Sequence, residues 1–142
     1  MALMHAEFKV TRRVTFAETD LAGVMHFANF YRWMEEVEHA FWRSRGMCVI
    51  QEHDGKTYSW PRVITSCEYF APAHFEDEIE MHLSLTDIGE KSLTYEVMFS
   101  RGGQKVARGR TKAVCCTMKD GTFSSTPIPD FIRAELAKAP GS

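Results

Sequence analysis

Residues 28–45 read ANFYRWMEEVEHAFWRSR, and this stretch decides the fold that the sequence predicts. Large apolar side chains recur there at helical spacing, while charged side chains occupy the opposite side. The apolar positions are Phe30, Trp33, Met34, Val37 and Phe41. The pattern predicts one long amphipathic helix that ends in a left-handed turn at Gly46. Because its apolar stripe contains large aromatic rings, the helix should pack across a broad apolar surface such as a sheet.

Alternating apolar residues before and after this helix predict the strands of that sheet. The strands cover residues 8–16, 63–69, 79–85, 93–99 and 105–118. Residues 101–104 and 120–121 carry glycine turn signals. Residues 51–55 are expected to form a polar loop, and Asp130 to cap a short helix over residues 131–138. The order predicts an α+β fold in which a five-stranded antiparallel sheet wraps around one long central helix.

The bulk properties exclude several classes of protein. At 142 residues the chain is expected to form a single domain, residues 1–142, with a substantial core. With 17 basic and 19 acidic residues the formal charge is -2, so no broad field attracts nucleic acid or an anionic membrane. The first nine residues lack the features of a secretory signal, and no segment is long enough to span a membrane. We therefore expect a cytoplasmic protein.

Cysteine and histidine spacing gives no sign of a metal or a disulfide framework. The four cysteines lack a Cys-x-x-Cys pair, and Cys115 and Cys116 should point to opposite faces of one strand. The six histidines are scattered, without two at a spacing that would join them on one helical face. Reduced cysteines, no metal and no cofactor are expected.

Residues 14–36, VTFAETDLAGVMHFANFYRWMEE, carry the possible chemistry. They place Asp20 at a strand end, followed by Gly23 and then by the start of the long helix. Backbone N–H groups in a first helical turn lack partners and can bind an oxyanion as it forms on a carbonyl. A carboxylate beside such a site suits acyl transfer, although an Asp before a Gly can also simply bond its own turn.

At this point the sequence resembles the hotdog-fold acyl-CoA thioesterases of the 4-hydroxybenzoyl-CoA thioesterase type. The matching residues in the first block are Phe16, Thr19, Asp20, Gly23, Val24, His26, Asn29, Arg32, Trp33 and Glu35. Later segments follow in the usual order, namely Trp60-Pro61, Tyr69-Phe70, residues 75–78, Gly89-x-Lys-Ser92 and Ala107-x-Gly-x-Thr111. The resemblance covers roughly residues 8–120.

The resemblance implies specific roles in thioester hydrolysis. Asp20 would attack the thioester carbonyl or activate water, while the backbone N–H of Phe27 polarises the carbonyl oxygen. Many relatives carry His or Tyr at the Phe27 position, so a mechanism that needs an imidazole there is not expected. The further implied substrate contacts are Gly23, His26, Asn29, Lys91 and Ser92, the last two for the phosphates of coenzyme A.

Other interpretations of these residues and of the whole chain stay open. His26 and Asn29 can instead cap or orient the helix start, Glu35 can be a solvated helix carboxylate, and Lys91 an exposed turn residue. The chain can also be a non-catalytic acyl-CoA-binding protein, or act on an acyl carrier protein. Coenzyme A enters only as part of the substrate. Because an isolated sheet would expose its edges, a homodimer or homotetramer is expected.

Overall fold

A computed structural model describes residues 6–138. The strands are β1 (Glu7–Arg13), β2 (Gln51–His53), β3 (Lys56–Ser59), β4 (Arg62–Tyr69), β5 (Glu78–Ile88), β6 (Ser92–Arg101), β7 (Gln104–Val114), β8 (Cys116–Lys119) and β9 (Thr122–Ser125). The helices are α1 (Ala28–Ser44) and α2 (Asp130–Leu136). A short 3-10 turn, Phe16–Glu18, follows β1. Within residues 6–138, neither α1 nor α2 meets the length and hydropathy that a membrane-spanning helix requires.

The main sheet has five antiparallel strands in the order β1-β5-β6-β7-β4. The side chains of Phe30, Trp33, Met34, Val37 and Phe41 on α1 are buried, as the helical spacing predicts. Alternate residues of β5 and β6 are buried as well, so each strand contributes one face to the core. Burial of each large apolar side chain contributes roughly 1.5–3 kcal/mol, which makes this helix and sheet contact the main stabilising feature.

Gly109 on β7 marks a close approach of α1 to the sheet. A Cβ atom at this position would lie 2.3 Å from the sulfur of Met34. Real side chains do not approach so closely, so the sheet at this position has room for glycine only while Met34 stays in place. Gly109 belongs to the Ala107-x-Gly-x-Thr111 segment, and the close contact gives that glycine a packing role.

A second, four-stranded sheet in the order β2-β3-β8-β9 corrects several sequence predictions. The polar loop predicted at residues 51–55 is wrong, because β2 and β3 form a hairpin whose turn holds Asp54 and Gly55 at positive φ. The long strand predicted over residues 105–118 divides at Cys115 into β7 and β8, which join different sheets.

Three local predictions at chain turns also need correction. Phe16 is 76% exposed and starts the 3-10 turn instead of continuing the first strand. Asp130 is the first residue of α2, and Pro129 holds the cap position without a side-chain hydrogen bond. Cys115 and Cys116 are both buried, because the strand break lies between the two sheets. Gly46 ends α1 at φ +72, as predicted.

Strand β4 forms an edge of the main sheet and contains a bulge between Arg62 and Ile64. Arg62 pairs with Ala113, and Thr65 pairs with Thr111. Paired residues share a face of a sheet, and Ala113 and Thr111 are two residues apart on one buried face. The bulge therefore places Arg62 on the helix side of β4 together with Thr65.

Candidate active site

The loop between β1 and α1 folds back on itself around Asp20. The backbone N–H of Asp20 donates to the carbonyl of Val24 at 2.9 Å, and the N–H of Gly23 donates to the carbonyl of Asp20 at 3.0 Å. An isolated bridge joins Thr19 to Met25. Gly23 has φ +81, a conformation that glycine adopts without strain. The small and polar residues of this stretch therefore form a tight turn that projects Asp20 at its start.

The Asp20 carboxylate is exposed and only partly engaged. Its Oδ1 atom accepts a hydrogen bond from the backbone N–H of Ala22 at 2.9 Å and a longer one from Val24 at 3.4 Å. Within residues 6–138 it has no salt-bridge partner. One oxygen thus holds the turn, and the other is oriented by that bond while it stays open to a reactant.

The start of α1 presents a free backbone N–H at Phe27. This residue caps the helix with helical dihedrals, φ -56 and ψ -33. The next N–H, of Ala28, bonds to Nδ1 of His26 at 3.2 Å, whereas no acceptor in the described part of the chain bonds the N–H of Phe27. The hydroxyl of Tyr69 donates to the Phe27 carbonyl at 3.2 Å. Tyr69 thereby holds, from the side of β4, the peptide group that joins Phe27 to Ala28, which is next to the one that carries the Phe27 N–H.

His26 and Asn29 both hold the helix start in place. The backbone N–H of His26 and the side-chain amide of Asn29 donate to the carbonyl of Glu18, at 2.8 Å and 2.9 Å. The His26 ring stacks on Phe27 with centroids 4.7 Å apart. These contacts are those of loop-orienting residues, and both side chains also face the cavity described next.

An open cavity of about 960 Å³ brings most of the predicted residues together. It is lined by Phe16, Ala17, Thr19, Asp20, Leu21, Gly23, His26, Ala28, Asn29, Arg32 and Phe75. We call it the Asp20 cavity. Sequence reasoning gave no role to Phe75, whose ring meets that of Phe16 edge to face at 6.0 Å. These two exposed aromatic rings give the cavity an apolar rim.

Lys91 and Ser92 lie elsewhere in the chain. They stand at the turn between β5 and β6, where the carbonyl of Lys91 accepts a hydrogen bond from Cys115 at 2.7 Å. The Asp20 loop meets the other end of β5, because Val14 exchanges backbone hydrogen bonds with Glu76 and Asp77. An eleven-residue strand spans about 35 Å, so one chain does not bring Lys91 into the Asp20 cavity.

Glu18 anchors the whole loop, and sequence reasoning missed it. Its carboxylate accepts hydrogen bonds from the Trp33 indole at 2.7 Å and from the N–H and hydroxyl of Thr15 at 2.9 Å each. Arg12 forms an ion pair with it at 2.9 Å. Partial burial raises the pKa of Glu18, but the hydrogen bonds and the Arg12 charge outweigh burial and leave that pKa below its ordinary value. A Thr followed three residues later by Glu is a capping-box pattern, which is the available sequence signal.

Comparison with known proteins places this geometry in context. The sequence model of the thioesterase-like superfamily matches residues 14–136 of this chain. A putative esterase of Aquifex aeolicus is 32% identical over 84% of this chain and 91% of its own. A 1,4-dihydroxy-2-naphthoyl-CoA hydrolase of Synechocystis is 27% identical over 86% of this chain and 90% of its own. The solved structure of a gentisyl-coenzyme A thioesterase aligns with a TM-score of 0.78 at 29% identity, over 91% of this chain and 99% of its own.

Proposed function

Because the chain belongs to the thioesterase-like superfamily, we propose that it hydrolyses an acyl-CoA thioester, with an aromatic acyl group, at the Asp20 cavity. The observation that carries the proposal is that one tightly bonded loop holds both an exposed carboxylate, Asp20, and a helix N-terminal N–H, that of Phe27, which is free within residues 6–138. Phe27 itself is not a lining residue of the cavity, but its neighbours His26 and Ala28 are. Two similar proteins act on aroyl-CoA thioesters, as their names state. No cofactor is needed for this reaction, and we place the enzyme in the cytoplasm.

Two routes fit the position of Asp20. In the first, a carboxylate oxygen attacks the carbonyl carbon and the C–S bond breaks, so that CoA leaves as a thiolate and a mixed anhydride forms. Water then hydrolyses the anhydride, which releases the acid and restores Asp20. In the second, Asp20 takes a proton from a water molecule as that water attacks the carbon directly. The C–S bond of the resulting tetrahedral intermediate then breaks, and the departing CoA sulfur takes the proton from Asp20, which leaves the acid, CoA and an ionised Asp20. In both routes the Phe27 N–H stabilises the negative oxygen.

We further propose that a homodimer completes the site by pairing the β4 edges antiparallel. The two subunits would be related by a two-fold axis perpendicular to the sheet. Each end of the strands in one subunit would therefore lie beside the opposite end of the strands in its partner. The turn that carries Lys91 and Ser92 of the partner subunit would then reach the Asp20 end, where its cation can hold a CoA phosphate. Exposed Val63 and Ile64 on β4 support burial of this edge. A sedimentation coefficient of a 16.3 kDa monomer at working concentration would contradict the dimer; a homotetramer would arise from two such dimers.

The test of the catalytic proposal measures thiol release from a panel of acyl- and aroyl-CoA thioesters. We expect Asp20→Asn to lower kcat by about a thousandfold or more, because it removes both the nucleophile and the base. Asp87→Asn, with the same charge change on β5, should match the wild type. Equal rates for Asp20→Asn and wild type would exclude Asp20 from the mechanism. Saturable acyl-CoA binding without turnover of any thioester would instead favour a binding protein.

A further inference from the structure

The free N–H of Phe27 belongs to a peptide group that is held in place on its other side. The carbonyl of this peptide group, on His26, accepts a hydrogen bond from the N–H of Asn29 at 2.9 Å. The peptide group before it is held by the bond from the His26 N–H to the Glu18 carbonyl at 2.8 Å. Because the N–H and the carbonyl of a peptide group share one plane, these bonds also orient the Phe27 N–H.

The next peptide group, which joins Phe27 to Ala28, is bonded at both ends. Its N–H donates to Nδ1 of His26 at 3.2 Å. Its carbonyl accepts from the N–H of Phe30 at 3.2 Å and from the hydroxyl of Tyr69 at 3.2 Å. Of the partners named for these peptide groups, Tyr69 alone comes from the sheet, so its hydroxyl ties the start of α1 to β4.

The Tyr69 ring is well placed to hold this bond. Tyr69 pairs with Ala107 on the neighbouring strand β7. Its ring meets that of Phe30 edge to face at 5.3 Å, and the buried Phe30 ring meets Phe99 of β6 in the same way at 5.2 Å. Partial loss of contact with water raises the pKa of Tyr69 above its ordinary value of 10, so the hydroxyl keeps its proton and remains a donor.

The position of the Phe27 N–H matters because an oxyanion donor must be in place before the charge develops. A displacement of about 1 Å in a reacting geometry can lower a rate by about a hundredfold. The ends of helices also open more readily than their middles. Without the Tyr69 bond, the Phe27 carbonyl would keep only the bond from Phe30 within residues 6–138. The start of α1 would then move more freely, and the Phe27 N–H would move with it.

We propose that Tyr69 is a positioning residue for thioester hydrolysis, and that its hydroxyl holds the start of α1 so that the Phe27 N–H is aligned with the developing oxyanion. Tyr69 does not line the Asp20 cavity, so it acts through Phe27 and not on the substrate. This inference rests on the proposed thioesterase function and adds to it a residue of the edge strand β4.

The first test is Tyr69→Phe, which removes only the hydroxyl. With the best thioester of the panel, kcat should fall by about tenfold, because the oxyanion donor is less well aligned. KM should stay within about twofold, since the contacts that bind the substrate are unchanged. Tyr58→Phe is the matched control and should keep the wild-type kcat. Tyr58 lies in the second sheet, where its ring packs on Phe131 at 5.9 Å, and it does not line the Asp20 cavity.

A double-mutant cycle tests whether Tyr69 acts through the Phe27 N–H. Phe27→Pro removes this N–H, and the φ of -56 at Phe27 suits proline at a helix start. It should lower kcat by about a hundredfold or more. Tyr69→Phe should have no further effect on kcat in the Phe27→Pro background. In a Phe27→Ala background, which loses the ring but keeps the N–H, Tyr69→Phe should still lower kcat by about tenfold.

Three results would overturn the role of Tyr69 while the proposed thioesterase function stands. The first is an unchanged kcat in Tyr69→Phe when the wild type is active. The second is a fall in kcat/KM that comes from KM alone. The third is a full tenfold loss in the Phe27→Pro background, because Tyr69 would then act by a route other than the Phe27 N–H. Failure of the wild type to hydrolyse any thioester would overturn the proposed function itself, and this inference with it.

Discussion

The two ends of α1 each place a glutamate against a tryptophan indole, and the outcomes are opposite. At the active-site end Glu18 accepts from Trp33 at 2.7 Å, and its pKa is lowered. Farther along the helix Glu38 accepts from Trp42 at 3.4 Å and from the Tyr95 hydroxyl at 3.1 Å. Burial raises the pKa of Glu38, and the Arg62 charge and the hydrogen bonds only partly offset it.

This difference shows that the degree of hydration, more than the number of hydrogen-bond partners, determines whether the pKa of each carboxylate is lowered or raised. The Glu18 side chain keeps some contact with water, so its hydrogen bonds stabilise the anion. The Glu38 side chain is only 5% exposed, so the loss of water dominates. We therefore expect Glu18 to matter chiefly for loop geometry and activity, and Glu38 chiefly for stability.

The largest effect is expected from removing the partner of the buried glutamate. Arg62→Ala should lower the free energy of unfolding at neutral pH by about 3 kcal/mol, because Glu38 stays buried without its counter-charge. Urea unfolding followed by circular dichroism measures this change. Arg62→Lys keeps the charge and should recover part of the loss. A loss below about 0.5 kcal/mol in Arg62→Ala would indicate that the pair contributes as little as a surface ion pair.

Removing the charge at the active-site end should affect rate more than stability. Glu18→Gln weakens the bonds that join β1, the loop and α1, so we expect kcat to fall by about ten- to a hundredfold with a small change in KM. The free energy of unfolding should fall by about 1–2 kcal/mol. In an Asp20→Asn background the same change should have little further effect on rate, because Glu18 acts by positioning Asp20.

Glu36→Gln provides the control for Glu18. Glu36 is the other partner of Arg12, at 3.0 Å, but this contact is an ion pair without hydrogen-bond alignment and its side chain is 52% exposed. We expect no change in kcat and a stability change within about 0.5 kcal/mol. An equal loss of activity in both variants would mean that Arg12, not Glu18, holds the loop.

The smallest effect is a difference in pH dependence between the two glutamates. Folding lowers the pKa of Glu18 below its ordinary 4.5, so its contribution is present above that pH and is lost as the pH falls through the folded value. Folding raises the pKa of Glu38, so its contribution is present below pH 4.5 and is lost as the pH rises through the folded value.

Unfolding free energies measured between about pH 3 and pH 7 test these opposite signs. The advantage of wild type over Glu18→Gln should shrink on acidification. The advantage of wild type over Glu38→Gln should grow on acidification. If the difference in unfolding free energy from wild type changed with pH in the same direction for both variants, the opposite signs expected for Glu18 and Glu38 would be wrong.

The main sheet and α1 could be predicted because their residues follow strong periodic patterns. Phe30 to Phe41 recur at helical spacing, and β5 and β6 alternate strictly, so both patterns match what is buried. The resemblance to hotdog-fold thioesterases is confirmed at the level of family and enzyme class. The second sheet was missed because β2 and β3 have three and four residues, too few for alternation to appear. The Asp54-Gly55 turn was the remaining signal.

At the site, the sequence located the loop but not its supports. Asp20, Gly23, His26 and Asn29 do line one cavity, because they are close in the chain. Their chemical roles, like that of the Phe27 N–H, stay predictions. The long-range contacts of the loop could not be predicted, since the bond from Trp33 to Glu18 depends on how α1 lies against β1. The burial of Glu38 could likewise not be predicted from the sequence, because a glutamate on a helix is ordinarily exposed.

The contact between Gly109 and Met34 also has a consequence for sequence change in this chain. A side chain at position 109 would overlap the end of the Met34 side chain, so Met34 has to move or be replaced by a shorter residue, although the two positions are 75 residues apart. Neither substitution is harmless alone, since one creates a clash and the other a void. The two positions should therefore change together, as a coupled pair whose double substitution costs less than the sum of its parts.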